Sequence, residues 1–191
     1  MNNAIYRDLL KVSLSKRGLS SKSCLKILES RSIDLLDLLS VSYKIRQKYF
    51  GKTFFIHIIN NVQNGLCSED CSYCAQAKGS RAKIFQYPIK TDVEILREAE
   101  EAYKKGAFRY CLVFSGKNPS ISRIKHLSKL IRKIKSKFNI EVCVSPGIID
   151  EEMARILKDS GLNRLNHNIN TAHRLYPEIC STHTFTERVN T

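Results

Sequence analysis

A chain of 191 residues with 42% apolar and 26% charged side chains falls among globular proteins, and its length suits one domain of ordinary size. Its 32 basic and 18 acidic residues leave a formal net charge of +14, which on charge alone points toward nucleic acid or an acidic surface. The longest apolar runs are far short of the ~18–20 residues a membrane helix needs, and no secretory leader is visible, so a cytoplasmic protein with no membrane span is expected.

The first fifty residues read as helical. Ser20, Ser21 and Ser23 offer capping oxygens ahead of Cys24–Leu28, and Ser32 and Asp34 precede Leu35, Leu36, Leu38 and Leu39 at helical spacing. Gly51 is the expected stop. This basic, Ser-containing start shares its composition with a mitochondrial transit peptide, a minor alternative. Thr53–Asn60 is a nearly continuous β-prone run, which suits a strand buried on both faces.

A cysteine-rich loop follows at Cys67–Cys74, and Thr91-x-x-Glu94 has the form of a capping box. It opens a helix through Ile95, Leu96, Ala99, Ala102 and Tyr103 that ends at Gly106. Phe108–Phe114 is the next strand, with an exit turn at Ser115–Pro119. Ile124, Leu127, Ile131, Ile134 and Phe138 step by three and four along one helix face, with Lys125, Lys129, Arg132, Lys133 and Lys135 on the rest. Ile140–Val144 is a third strand, Asp150 caps a helix stopped by Gly161, and Leu162–Ile169 is a fourth strand. Thr182–Thr191 reads as a helix just beginning.

Strand and helix alternate throughout, which is the pattern of right-handed βαβ units and a parallel sheet. The expected architecture is α/β: a helical segment over residues 1–51, then about four of the eight strands of a TIM-type barrel over residues 52–191. An eight-stranded α/β barrel takes ~200–250 residues or more, so the pattern reads as half of one.

Cysteine is the second compositional oddity. The seven cannot pair off completely, and three sit in Cys67-x3-Cys71-x2-Cys74. Three thiolates in one short loop reach a single metal centre. A structural zinc site normally closes with four ligands, which here would need His57 or another distant residue. Three cysteines instead suit a [4Fe–4S] cluster with one iron left open.

The triplet, with aromatic Tyr73 before its last cysteine, resembles the radical S-adenosylmethionine (SAM) signature. The wider string Asn64–Gln76, with Leu165–Thr171 and Thr182–Thr191, resembles the biotin synthase family, and the resemblance runs from about Ser20 onward. It implies that Cys67, Cys71 and Cys74 hold the [4Fe–4S] cluster. SAM would bind the open iron and be cleaved to a 5′-deoxyadenosyl radical, with Tyr73 placing its backbone near the adenine. It further implies a [2Fe–2S] cluster, the sulfur donor to dethiobiotin, with Cys111 and Cys143 as two of its three cysteine ligands.

Asn166, Asn168 and Asn170 are expected to alternate along one strand and share a face. The family uses this segment for SAM (Asn168, Asn170) and for dethiobiotin or SAM (Asn166, Asn168). Some members carry Asp at the place of Asn170; an amide there keeps a ribose acceptor but removes a charge. A flavodoxin or ferredoxin is the implied electron donor, and a homodimer the implied assembly of the complete enzyme. Cys24 and Cys180 match no ligand position. His57, His167 and His183 are read as structural.

The family's remaining ligands to the second cluster lie on later strands, so the chain is expected to be a truncated product, a fragment or half of a split protein. Rival readings are a methylornithine synthase, a hydrogenase maturase or a lipoyl-type sulfur insertion enzyme. A rival of another class is a basic zinc-stabilised nucleic-acid-binding module, disfavoured because no aromatic-interleaved basic platform is present.

Overall fold

The computed structural model describes residues 4–15, 18–31 and 33–191; Ser32, expected to help cap the third helix, lies outside them. The chain divides into two compact units, Met1–Phe54 and Phe55–Thr191.

In the first unit, helices α1 (Ala4–Leu14), α2 (Ser21–Glu29) and α3 (Leu35–Phe50) follow local sequence signals closely. The Ser20 and Asp34 side chains accept from the backbone N–H of Ser23 and Asp37, satisfying donors that each first turn leaves free. Gly51, at φ +55°, ends α3. A small core of Tyr6, Leu9 and Val41 holds the unit. The Tyr6 hydroxyl accepts from the Asp34 N–H at 2.7 Å, tying α1 to the start of α3.

The second unit runs β1 (His57–Asn61), α4 (Asp92–Lys104), β2 (Arg109–Val113), α5 (Ile121–Lys137), β3 (Glu141–Ser145), α6 (Glu151–Asp159) and β4 (Arg164–Leu165). A 3-10 turn at His173–Leu175 and two short helices, α7 (Tyr176–Ile179) and α8 (Phe185–Asn190), follow. The four strands pair in parallel in the order β1-β2-β3-β4. The result is an open α/β sheet, part of a (βα)-type barrel.

The period of two along each strand sorts its residues between faces. Tyr110, Leu112, Val142 and Val144 enter the main core with Ile95, Ala99, Ile124, Leu127, Leu130, Ile131, Ile134 and Leu157 from the helices. Cys111 and Cys143, the alternate residues, therefore face away from the helices. The expected α5 face is the buried one, with Leu130 added and Phe138 acting as the C-cap. The Thr91–Glu94 capping box forms in full at the start of α4. No helix among the described residues is long and apolar enough to cross a membrane.

Two expectations fail. The Thr53–Asn60 run forms a strand only from His57, and it is not buried on both faces: Phe54 is 78% exposed and Ile59 67%. β1 is an edge strand, so β-propensity outran the burial available to it. The Leu162–Ile169 strand shrinks to Arg164–Leu165, with one further ladder bond from Asn166 N–H to the Val144 carbonyl at 2.8 Å. Beyond it the backbone turns away, and Asn170 sits at φ +73°, where strand geometry is lost. Asn166, Asn168 and Asn170 are all exposed, and no strand carries them on a common face.

Candidate metal and cofactor site

The loops that leave the C-terminal ends of the strands are tied to one another. Ser115, after β2, donates through its hydroxyl to the Gly65 carbonyl, after β1, at 2.8 Å. Lys117 in the same turn donates to the Thr182 carbonyl at 2.8 Å and pairs with Glu187 at 3.0 Å. After β3, the Ile148 N–H donates to the Lys117 carbonyl at 2.8 Å. Parallel α/β sheets place their chemistry at this end, where loops of several strands converge.

The cysteine loop is held in register against the segment before α8. The Ser72 N–H donates to the Ile179 carbonyl at 2.9 Å. Two residues along, Asp70 accepts from the Ser181 N–H at 3.0 Å and the Thr182 N–H at 3.3 Å, and from the Ser181 hydroxyl. Glu69 accepts from the Thr182 hydroxyl at 2.7 Å and from His183 Nδ1 at 2.7 Å. Glu69, Asp70, Cys71 and Ser72 therefore stand opposite Thr182, Ser181, Cys180 and Ile179 like rungs of an antiparallel ladder.

This ladder fixes the thiols. Cys71 is buried against Tyr176 and Cys180, with Cys74 packed on the same cluster, while Cys67 and Cys74 are half-buried. Cys71 Sγ and Cys180 Sγ are 3.9 Å apart, and Cys180 Sγ is 3.2 Å from His183 Nδ1. The ligand atoms of Cys71, Cys180 and His183 all lie within 4.8 Å of one another, a Cys/Cys/His group able to hold a metal. Cys67 and Cys74 are not part of that group.

Burial, then the charge and hydrogen bond of Cys180, push the Cys71 thiol up to about 11; Tyr73 and Arg188 oppose the shift. For Glu69, burial raises the pKa, but hydrogen bonds from Thr182, His183 and Ser68 outweigh it and hold the carboxyl below its ordinary value. A depressed folded pKa stabilises the fold above the unfolded carboxyl value of ~4.3 and is lost as pH falls through the folded value. Glu69→Gln is therefore expected to lower the melting temperature at pH 7, the deficit closing as acid protonates the wild-type carboxyl. Parallel melting curves at both ends of the pH range check this; an equal deficit at both would remove the carboxylate from the account.

Cys111 and Cys143 meet across the β2–β3 register, with sulfurs 3.0 Å apart and both side chains buried. The Cys111 thiol donates to Cys143, which lowers Cys143 and raises Cys111. The charges of Arg109 and Arg164 lower Cys143 further. Arg109 itself pairs with Glu141. Tyr73 is 58% exposed, and Cys24 is exposed in the first unit. His57 stands beside Arg109 on β1 and β2, with no thiol near it among its recorded contacts.

Gln63 Oε1, His167 Nε2, the Tyr176 hydroxyl and Arg188 Nε are buried without a partner, all on segments that follow β1 or β4. Unpaired buried polar atoms are costly, and a polar ligand is one way to satisfy them. With the cysteine triplet, this donor set fits an iron–sulfur cluster and SAM. A cavity of about 520 Å³ beside β1 and α4 has no thiol in its wall.

Sequence reasoning missed Cys180, and read His183 as structural, because their proximity to Cys71 arises from chain separations of more than a hundred residues. The pairing of Glu69-Asp70 with Ser181-Thr182 has no local signal.

Residues 62–191 match the radical SAM superfamily model. Among curated relatives, the biotin synthase of Magnetococcus marinus is 53% identical over 171 residues, covering 90% of this chain and 53% of its own length. The biotin synthase of Acaryochloris marina is 47% identical over 178 residues, covering 93% and 51%. The chain thus spans about half the length of the curated relatives it matches. Two solved structures share the fold. A methylornithine synthase matches with TM-score 0.79 at 21% identity, over 95% of this chain and 53% of that one. The FeFe-hydrogenase maturase HydG of Carboxydothermus hydrogenoformans matches with TM-score 0.79 at 18% identity, over 97% and 44%. Cysteine loop, open parallel sheet and family match agree, and the chain belongs to the radical SAM superfamily.

Proposed function

We propose that this chain carries the SAM-cleaving half of a biotin synthase-type enzyme, which inserts sulfur into dethiobiotin after hydrogen abstraction by a 5′-deoxyadenosyl radical. In this reading Cys67, Cys71 and Cys74 would hold a [4Fe–4S] cluster, and Cys111 and Cys143 two corners of a [2Fe–2S] cluster. Bound cluster and SAM supply the one-electron chemistry; the protein supplies placement and a dry site. Glu69 and Asp70 brace the cysteine loop against Ser181 and Thr182, so the loop backbone does not wait for a ligand to order it. Tyr73, Asn168 and Asn170 would contact SAM, and Asn166 with Asn168 either dethiobiotin or SAM. A flavodoxin or ferredoxin as electron donor, a homodimer and a cytoplasmic location belong to the same proposal.

The observation that carries it is the Cys111–Cys143 pair, buried side by side on the sheet face away from the helices. A radical rearrangement of methylornithine type needs no sulfur donor there. The test is anaerobic reconstitution with iron and sulfide, followed by assay with dethiobiotin, SAM and a reductant. Cys143→Ala is expected to keep the cluster of the cysteine loop and to lose whatever iron and sulfide the wild-type chain holds beyond four of each. A wild-type chain that holds more than four irons, with the excess kept in Cys143→Ala, would remove the Cys111–Cys143 pair from the second cluster.

A further inference from the structure

Cys180 has no part in the cluster proposed above, yet its sulfur lies 3.9 Å from that of Cys71, across the ladder that pairs the cysteine loop with the segment before α8. We infer that in the cluster-free chain Cys180 and Cys71 form a disulfide when peroxide reaches them, a reversible switch that withholds Cys71 from iron until a thiol reductant frees it. The bond itself stands on this geometry alone; only its effect on iron rests on the cluster reading.

Cys71 and Cys180 sit on opposite rungs, with the Ser72 N–H bonded to the Ile179 carbonyl on one side and the Ser181 N–H to Asp70 on the other. Segments tied this closely are within reach of a disulfide, and the sulfurs must close by less than about 2 Å to form it. Both side chains are buried, which favours an oxidant hardly larger than water. Cys180 lines a cavity of about 290 Å³ with Tyr176, His183 and Phe185, and Cys71 is absent from its wall. Hydrogen peroxide therefore meets Cys180 first. The sulfur attacks the O–O bond: an S–O bond forms, the O–O bond breaks, and hydroxide leaves as water with the thiol proton, giving a sulfenic acid. Asp70 Oδ1 at 3.2 Å and Thr182 Oγ1 at 3.3 Å stand beside this sulfur to hold the new hydroxyl. The Cys71 sulfur then attacks that of Cys180; the S–S bond forms, the S–O bond breaks, and a second water leaves. Two thiols give up two electrons, and one peroxide accepts them. Both His183 nitrogens are engaged, Nδ1 by Glu69 and Nε2 by Arg188, so the ring stays in place while the sulfurs close.

The whole cluster-free chain, purified anaerobically, is titrated with hydrogen peroxide, its remaining thiols are capped with N-ethylmaleimide, and its tryptic peptides are mapped by mass. Residues 175–188 carry Cys180, and residues 53–78 carry the cysteine loop. The expected product joins these two peptides, with fragmentation placing the bond at Cys71, and dithiothreitol separates them. Once peroxide is removed, the linked chain is expected to assemble no cluster at the cysteine loop with iron and sulfide, and to recover assembly on reduction. Cys180→Ser is expected to assemble the cluster as wild type does, and to keep that capacity at the peroxide dose that silences wild type. If this variant does not fold, the wild-type map decides alone. A capped, unlinked 175–188 peptide in the silenced wild-type chain, a link from Cys180 to Cys67 or Cys74 instead, or silencing of Cys180→Ser at the same dose would each overturn the switch. Failure of the untreated wild-type chain to assemble a four-iron cluster would overturn the cluster reading and leave the peptide map standing.

Discussion

Cys74→Ala is expected to abolish the four-iron cluster and reductive SAM cleavage, while the melting temperature stays within a few degrees of wild type. A cluster that keeps one iron open for SAM has only three protein thiolates, so no ligand is spare. Cys67 and Cys74 are the clean positions for this test because both are half-buried. Removing a sulfur there costs little in packing, of the order of the ±0.5 kcal/mol of ordinary surface changes plus some lost contact.

Cys71 is different. It is 7% exposed, packs with Tyr176 and Cys180, and lies within a ladder of hydrogen bonds. Cys71→Ala would lose the cluster and disturb that ladder together, and its result would not separate chemistry from folding. Cys24→Ala, exposed and in the other unit, is the control expected to change nothing. Iron and sulfide analysis with circular dichroism on the three variants decides the matter. A Cys74→Ala protein that retains four irons per chain would show that the triplet is not the ligand set.

Local signals carried most of the fold. The Thr91–Glu94 capping box, the Asp150 cap and the apolar stripe of α5 each depend on residues within one or two helical turns, and each forms as read. What failed depended on neighbours the sequence does not name. β1 has the composition of a central strand but occupies an edge, and the polar run after Leu165 leaves the sheet as soon as ladder bonds to β3 run out. The site divides the same way. Cys67, Cys71 and Cys74 are legible because their spacing is local. The ladder that sets Cys71 beside Cys180 and His183 joins segments over a hundred residues apart, through side-chain acceptors whose partners only the fold supplies.

Gly147→Ala is expected to lower the stability of the second unit by about 3 kcal/mol, and with it the order of the site. Gly147 has φ +97°, and a Cβ added there would lie 2.3 Å from the Lys117 carbonyl oxygen and 2.9 Å from its carbon. Both atoms are backbone, so no side chain can swing aside. Forcing an L-residue into left-handed backbone costs ~1–2 kcal/mol, and the Ile148 N–H to Lys117 carbonyl bond, 2.8 Å long, would be broken or stretched for roughly 1 kcal/mol more. At ~2–4 °C per kcal/mol for a protein of this size, the melting temperature should fall by about 6–12 °C. Gly116→Ala is the matched control: its φ of +117° is equally unsuited to alanine, but nothing lies within 4 Å of the added carbon. The difference between the two variants isolates the clash from the backbone term. The displacement also reaches the chemistry, because Lys117 holds the Thr182 carbonyl and Glu187 beside His183, and the Gly147 backbone is bonded to His167. Cluster assembly in Gly147→Ala should therefore be impaired even below its melting temperature, whereas Gly116→Ala should assemble normally. Equal melting temperatures for the two variants would show that the β3 exit loop shifts freely, and that its contact with Lys117 does not brace the site.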